Sequence, residues 1–145
     1  MSTAWTVTFD CIDPAAMAAF WCRALGYVEG APPDGFASWE DWLAHVGVPQ
    51  EEWDDGAYIE DPDGLRPGVS FLRVPERKTA KNRVHLDVQA GGGRGEPWEV
   101  RWPRVRAAVD RLTAAGATVI REDVQNGVPD HFVMADPEGN EFCVV

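Results

Sequence analysis

Twice in this chain a strand-like run ends on Asp-Pro-acid-Gly and another apolar run follows: "AYIEDPDGLRPGVSFLRV" at 57 to 74 and "HFVMADPEGNEFCVV" at 131 to 145. Within each turn, proline fixes φ at the first central position, an acid follows, and glycine accepts the positive φ that reverses the strand into its neighbour. The two turns begin at Asp61 and Asp136, and a repeated hairpin at that spacing confines the chain to folds built from two copies of one unit.

What precedes each turn agrees with duplication. "WTVTFDC" alternates Trp5, Val7, Phe9 and Cys11 with Thr6, Thr8 and Asp10, the period of a strand with one buried face. Asp13 then suits a helix N-cap and Pro14 the first helical position. Met17, Phe20, Trp21, Ala24 and Leu25 follow at helical spacing, and Gly26 sits where a left-handed cap belongs. In the second half "RVHLDVQ" alternates Val84, Leu86 and Val88 with His85, Asp87 and Gln89. After a glycine-rich loop a helix is expected from near Pro103, with Val105, Val109 and Leu112 as its buried stripe. The sequence predicts one domain over 1–145, with a first module of about 1–75 and a second of about 82–145.

The first copy is longer. Gly26 precedes Asp61 by 35 residues, whereas Gly116 precedes Asp136 by 20. The excess lies in "SWEDWLAHVGVPQEEW", where Ser38 and Asp41 suggest a capping box and Trp39, Trp42, Leu43 and Val46 a helical stripe over 38–47. This extra helix either walls a cavity or covers a sheet edge.

Composition narrows the partners. A chain that is 45% hydrophobic and 26% charged can bury a sizeable core. Its formal charge of -11 repels phosphate backbones, which argues against nucleic acid. The opening "MSTAWTVTFDCIDP" lacks a signal-like h-region, and no apolar run is long enough to span a membrane. Cys11, Cys22 and Cys143 cannot all pair and show no finger-like spacing, so a reduced, cytoplasmic protein is expected. The run "ERKTAKNRVH" is a local basic exception, read as a solvated loop or edge strand. Seven tryptophans are too many for one core. Trp5 and Trp21 are expected to pack on apolar faces, while Trp39, Trp42 and Trp53 suit a flat ligand, an interface or simple packing.

Three stretches in order, "IDPAAMAAFWCRALGY" (12 to 27), "FLRVPERKTAKNRVHLDV" (71 to 88) and "DPEGNEFCVV" (136 to 145), resemble the glyoxalase-like domains of the vicinal oxygen chelate superfamily. The resemblance covers essentially the whole chain. It implies an α+β fold of two tandem βαβββ modules forming a cupped, open mixed β-sheet barrel with helices outside. It also implies a ligand cavity within and, often, a homodimer. Members range from glyoxalase I, extradiol dioxygenases and methylmalonyl-CoA epimerase to fosfomycin-inactivating thiol transferases and metal-free bleomycin-binding proteins, so the fold does not choose the chemistry.

The resemblance further implies one divalent ion, held by a side chain from each module's first strand and a carboxylate on its last strand. His85 matches the second-module position. Thr6 stands where the first module would offer His, Gln or Glu, and Cys143 stands at the usual carboxylate position. Glu141, two residues earlier, shares a strand face with Cys143 by alternation. In the first module, "GVSFLRV" has no carboxylate. Metal candidates are therefore His85 and Glu141.

Two functional expectations follow. One is a binding protein for a small aromatic molecule, metal-free or weakly metal-dependent, lined by Thr6, Thr8, Asp10, Trp39, Trp53, Asp87, Gln89 and His131. The other is a divalent-metal-dependent lyase, isomerase or dioxygenase in which His85, helped by Glu141, holds an ion that polarises substrate oxygens. For His85 itself three roles stay open: a hydrogen-bonded wall residue, a proton-transfer group and a metal ligand. Cys143 reads as a small apolar strand residue, since no nearby base is apparent to activate a thiolate.

Overall fold

The computed structural model describes residues 1–145, which divide into two compact units: Met1–Cys22 with Gly26–Arg77, and Arg23–Leu25 with Lys78–Val145. Each unit carries one four-stranded mixed sheet, neither closed into a barrel, which is the α+β arrangement of two βαβββ modules.

The first sheet has the order β1-β4-β3-β2, with β1 at Val7–Cys11, β2 at Val28–Glu29, β3 at Gly56–Glu60 and β4 at Val69–Arg73. Strand β1 runs parallel to β4, and the other pairs are antiparallel. Helix α1 spans Pro14–Leu25, and the Asp13 side chain accepts a hydrogen bond from the Ala16 N–H at 3.0 Å. Gly26, at φ 72°, ends the helix and donates its N–H to the Cys22 carbonyl. The apolar faces meet through rings: Phe9 lies 5.1 Å from Trp21 and 5.6 Å from Phe71, and Phe20 meets Trp21 edge-on. Between β2 and β3 come α2, Trp39–His45, capped by the Ser38 hydroxyl on the Asp41 N–H, and a short 3-10 helix, Gln50–Asp55.

The second sheet has the order β5-β8-β7-β6, from β5 (Asp87–Val88), β6 (Thr118–Gln125), β7 (Val128–Ala135) and β8 (Glu141–Val144). Helix α3, Trp98–Ala114, buries Trp102, Val105, Ala108, Val109 and Leu112. Trp102 stacks on Phe132 at 5.3 Å, so the Phe132, Met134, Phe142 and Val144 side of the sheet faces α3.

Three expectations need correction. Trp5 is 64% exposed, because strand pairing starts only at Val7. Val84 is also exposed: ladder bonds reach back only to the Leu86 carbonyl, and Asn82 bends the preceding residues by bonding both the Val84 carbonyl and the Glu141 N–H. Helix α3 begins at Trp98, five residues before Pro103, which lies inside the helix and supplies no N–H to the Glu99 carbonyl.

The repeated turn proves more than a proline and a glycine. Gly64 and Gly139 take positive φ (65° and 88°), and each N–H bonds back to the carbonyl of the leading aspartate at 2.9 Å. Those aspartates, Asp61 and Asp136, are themselves buried and accept from backbone N–H groups. Asp61 takes bonds from Asp63 and Leu65, and Asp136 from Glu138 and Asn140. Burial alone would push Asp61 up, but these N–H donors and Arg66 outweigh it and hold its carboxyl below the ordinary range. We expect Asp136→Ala to cost about 1–3 kcal/mol by stranding these donors. A urea midpoint lowered at constant m-value checks it.

Candidate functional site

In the first unit the sheet face turned away from α1 carries a row across three strands: Thr8, Ser70 and Tyr58 are in register, with Asp10 beside Leu72 in the next row. Thr6, just before β1, is exposed, as are Thr8 and Asp10. Tyr58 was not anticipated from sequence, yet two glycines are shaped around it. A Cβ at Gly30 would lie 2.2 Å from the Tyr58 ring, and one at Gly68 would lie 2.1 Å from its hydroxyl. The phenol therefore lies along the sheet in a slot that only glycine leaves open. Trp39 and Trp53 are half-buried in the same unit. Their indole N–H groups are already committed, to the Gly30 carbonyl at 2.7 Å and the Val48 carbonyl at 3.0 Å, so they offer a ligand ring surface but no donor.

In the second unit the face turned away from α3 carries Asp87, Glu141, Cys143, Val133, His131, Arg121 and Asp123, as strand alternation and register require, and His85, just before β5, reaches Asp87. Its charges are paired. The Glu141 carboxylate is held by Lys81, whose hydrogen bond keeps it below the ordinary range. Asp123 is held low chiefly by its bond from Arg121 at 2.8 Å. His131 sits between two carboxylates, Nδ1 at 2.8 Å from Asp130 and Nε2 at 3.1 Å from Asp123, so neither ring nitrogen is left for a ligand. Gln89 is exposed beyond β5.

His85, Asp87 and Cys143 come together. His85 Nε2 lies 3.3 Å from Asp87 Oδ1, and one donor atom from each of the three residues falls within 4.8 Å of the others. Cys143 is buried, and its thiol is pushed up to about 11, first by burial and then by the nearby Asp87 carboxylate. With such a value the thiol is protonated and non-nucleophilic at neutral pH. An oxygen-seeking ion such as Mn(II) wants several carboxylate or carbonyl donors. One nitrogen, one oxygen and one sulfur do not supply that set, and Glu141 is engaged elsewhere.

These two sheets and faces are those of a known family: the model of the glyoxalase-like domain matches residues 6–145. The chain belongs to the glyoxalase-like domain family, within the vicinal oxygen chelate superfamily. No curated protein matches it significantly in sequence. Among solved structures, a hypothetical protein from S. aureus is 16% identical, with 99% of this chain and 93% of that one covered at a TM-score of 0.61. The fosfomycin resistance protein FosX from Mesorhizobium loti is 10% identical, covering 99% and 90% at 0.61. A FosX variant from Listeria monocytogenes, solved with Mn(II) and 1S,2S-dihydroxypropylphosphonic acid, is 12% identical, covering 99% and 91% at 0.62. At these identities the glyoxalase-like chain shares the fold of these proteins.

Proposed function

We propose that this glyoxalase-like protein binds a small aromatic molecule, without a hard divalent ion or with only weak dependence on one. The observation that carries the reading is Tyr58, a half-buried ring pinned between Gly30 and Gly68 on the face opposite α1. A fixed aromatic surface stacks at low entropic cost, and Ser70, its register neighbour, with the exposed Thr8 one strand further on the same face, supplies hydroxyls to orient polar substituents. The metal-dependent alternative draws on His85 and Glu141, and it requires Glu141 to leave Lys81.

Fluorescence titration with a panel of flat aromatic compounds tests this, since seven tryptophans report on the chain. Tyr58→Ala is expected to weaken the best binder about tenfold, equivalent to about 1.4 kcal/mol. Gly68→Ala, which lifts the ring from its slot, is expected to act in the same direction. A panel in which nothing binds, or binding indifferent to both substitutions, overturns the reading.

A further inference from the structure

Residues 31–55, which hold α2 and the 3-10 helix, contain no buried residue. The segment keeps its shape by bonds inside itself. The Val48 N–H donates to the Leu43 carbonyl (2.9 Å), the Trp53 indole N–H to the Val48 carbonyl (3.0 Å), and Ser38 caps α2. A piece ordered within itself but shallowly seated opens at lower cost than a core strand.

Its tethers to the rest of the first unit lie at its ends. At the start, the Trp39 indole N–H donates to the Gly30 carbonyl (2.7 Å) and the Ala31 N–H to the Glu60 carboxylate (3.4 Å). At the finish, Arg73 from the end of β4 donates to the Asp54 carbonyl (3.0 Å) and pairs with the Asp55 carboxylate (3.1 Å). The segment carries seven carboxylates and no lysine or arginine, so its own charge resists compaction and Arg73 supplies the opposing cation. Both ends also meet Tyr58. Gly30 leads into the segment with the Tyr58 ring against its α-carbon, and Gly56 follows it, two residues before Tyr58.

We propose that residues 31–55 are a lid over the Tyr58 ring, moving as one body about Gly30 and Gly56, with Arg73 as the latch that holds it shut. This rests on the reading of Tyr58 as the receiving surface and adds how that surface is uncovered. A glycine at each end lets the backbone turn with no side chain to displace. The latch is weak enough to release, because the Arg73 and Asp55 side chains are 46% and 43% exposed and solvent screens their attraction.

Nitration by tetranitromethane, located by mass spectrometry, tests the lid with no ligand present, since Tyr27 and Tyr58 are the two tyrosines of the chain. Arg73→Gln is expected to speed nitration of Tyr58 about fivefold, the effect of losing a half-exposed ion pair and one hydrogen bond. Tyr27, whose hydroxyl donates to the Pro67 carbonyl outside the segment, keeps its rate and serves as the internal control. Arg73→Lys, which keeps the charge but not the forked contact, falls between wild type and Arg73→Gln. Asp55→Asn acts in the same direction more weakly, because the Asp54 carbonyl still accepts from Arg73. Circular dichroism checks each fold, and Asp55→Asn carries the test if Arg73→Gln does not fold. Equal Tyr58 rates in wild type and Arg73→Gln, or both tyrosines accelerating together, overturn the proposal. A compound panel in which nothing binds sinks the reading of Tyr58 as a receiving surface and leaves the nitration result as it is.

Discussion

Asp130→Ala is expected to destabilise the protein by about 3–5 kcal/mol, a large share of the stability of an ordinary domain. Asp130 is 5% exposed and Arg101, reaching from α3, is 6% exposed. Arg101 donates to both the Asp130 carbonyl (2.7 Å) and its carboxylate (3.0 Å), while Arg94 and His131 hold the same carboxylate from other sides. Removing the carboxylate leaves a buried guanidinium without its counter-charge, which costs more than the pair contributes over neutral groups. The pH dependence has a definite sign. Burial by itself raises the Asp130 carboxyl, but His131, Arg94 and Arg101 outweigh it and hold it below the ordinary carboxylate range. A depressed folded value means stability that is present above the unfolded value of about 4 and lost as pH falls through the folded one. The gap between wild type and Asp130→Ala in urea midpoints therefore narrows from pH 7 towards pH 3.

Trp21→Ala is expected to cost about 3–5 kcal/mol and to lower Tm by about 10 °C or more. Trp21 is 1% exposed and touches the rings of both Phe9 and Phe20, so the cavity has no side it can collapse from cheaply. Trp5→Ala is the contrast. Its ring lies in solvent, and the change is expected to stay within about 0.5 kcal/mol. Thermal melts of the two variants side by side separate a buried tryptophan from an exposed one that strand alternation and helical spacing had put on the same footing.

That contrast marks what sequence could reach. Helix α1 was legible to its caps, because Asp13, Pro14 and Gly26 act through bonds only a few residues long. The doubled turn was legible for the same reason, although burial of Asp61 and Asp136 was not. Alternation brought His85 and Asp87 together, but strand ends depend on where a partner runs out, hence the misplacement of Trp5 and Val84. Asn126 and Gly127, both at positive φ between β6 and β7, were a readable hairpin signal that went unused.

The candidate sites were less legible because their contacts are non-local. That Cys143 stands opposite Asp87 is a register between residues far apart in the chain. That Glu141 is claimed by Lys81 depends on a basic run which, in sequence, reads as a solvated loop. Tyr58 was missed because its meaning lies in Gly30 and Gly68, each of which resembles an ordinary loop glycine until the ring is seen lying where their side chains would be.

The central claim is that a small aromatic molecule is received at Tyr58 without help from a metal. Amide and aromatic NMR shifts of the metal-free chain, followed during titration with the best binder of the panel, test it most directly. The account predicts perturbations centred on Thr8, Asp10, Tyr58 and Ser70, the residues sharing that face. Perturbations confined to α3, or binding that appears only when a divalent ion is added, would contradict it.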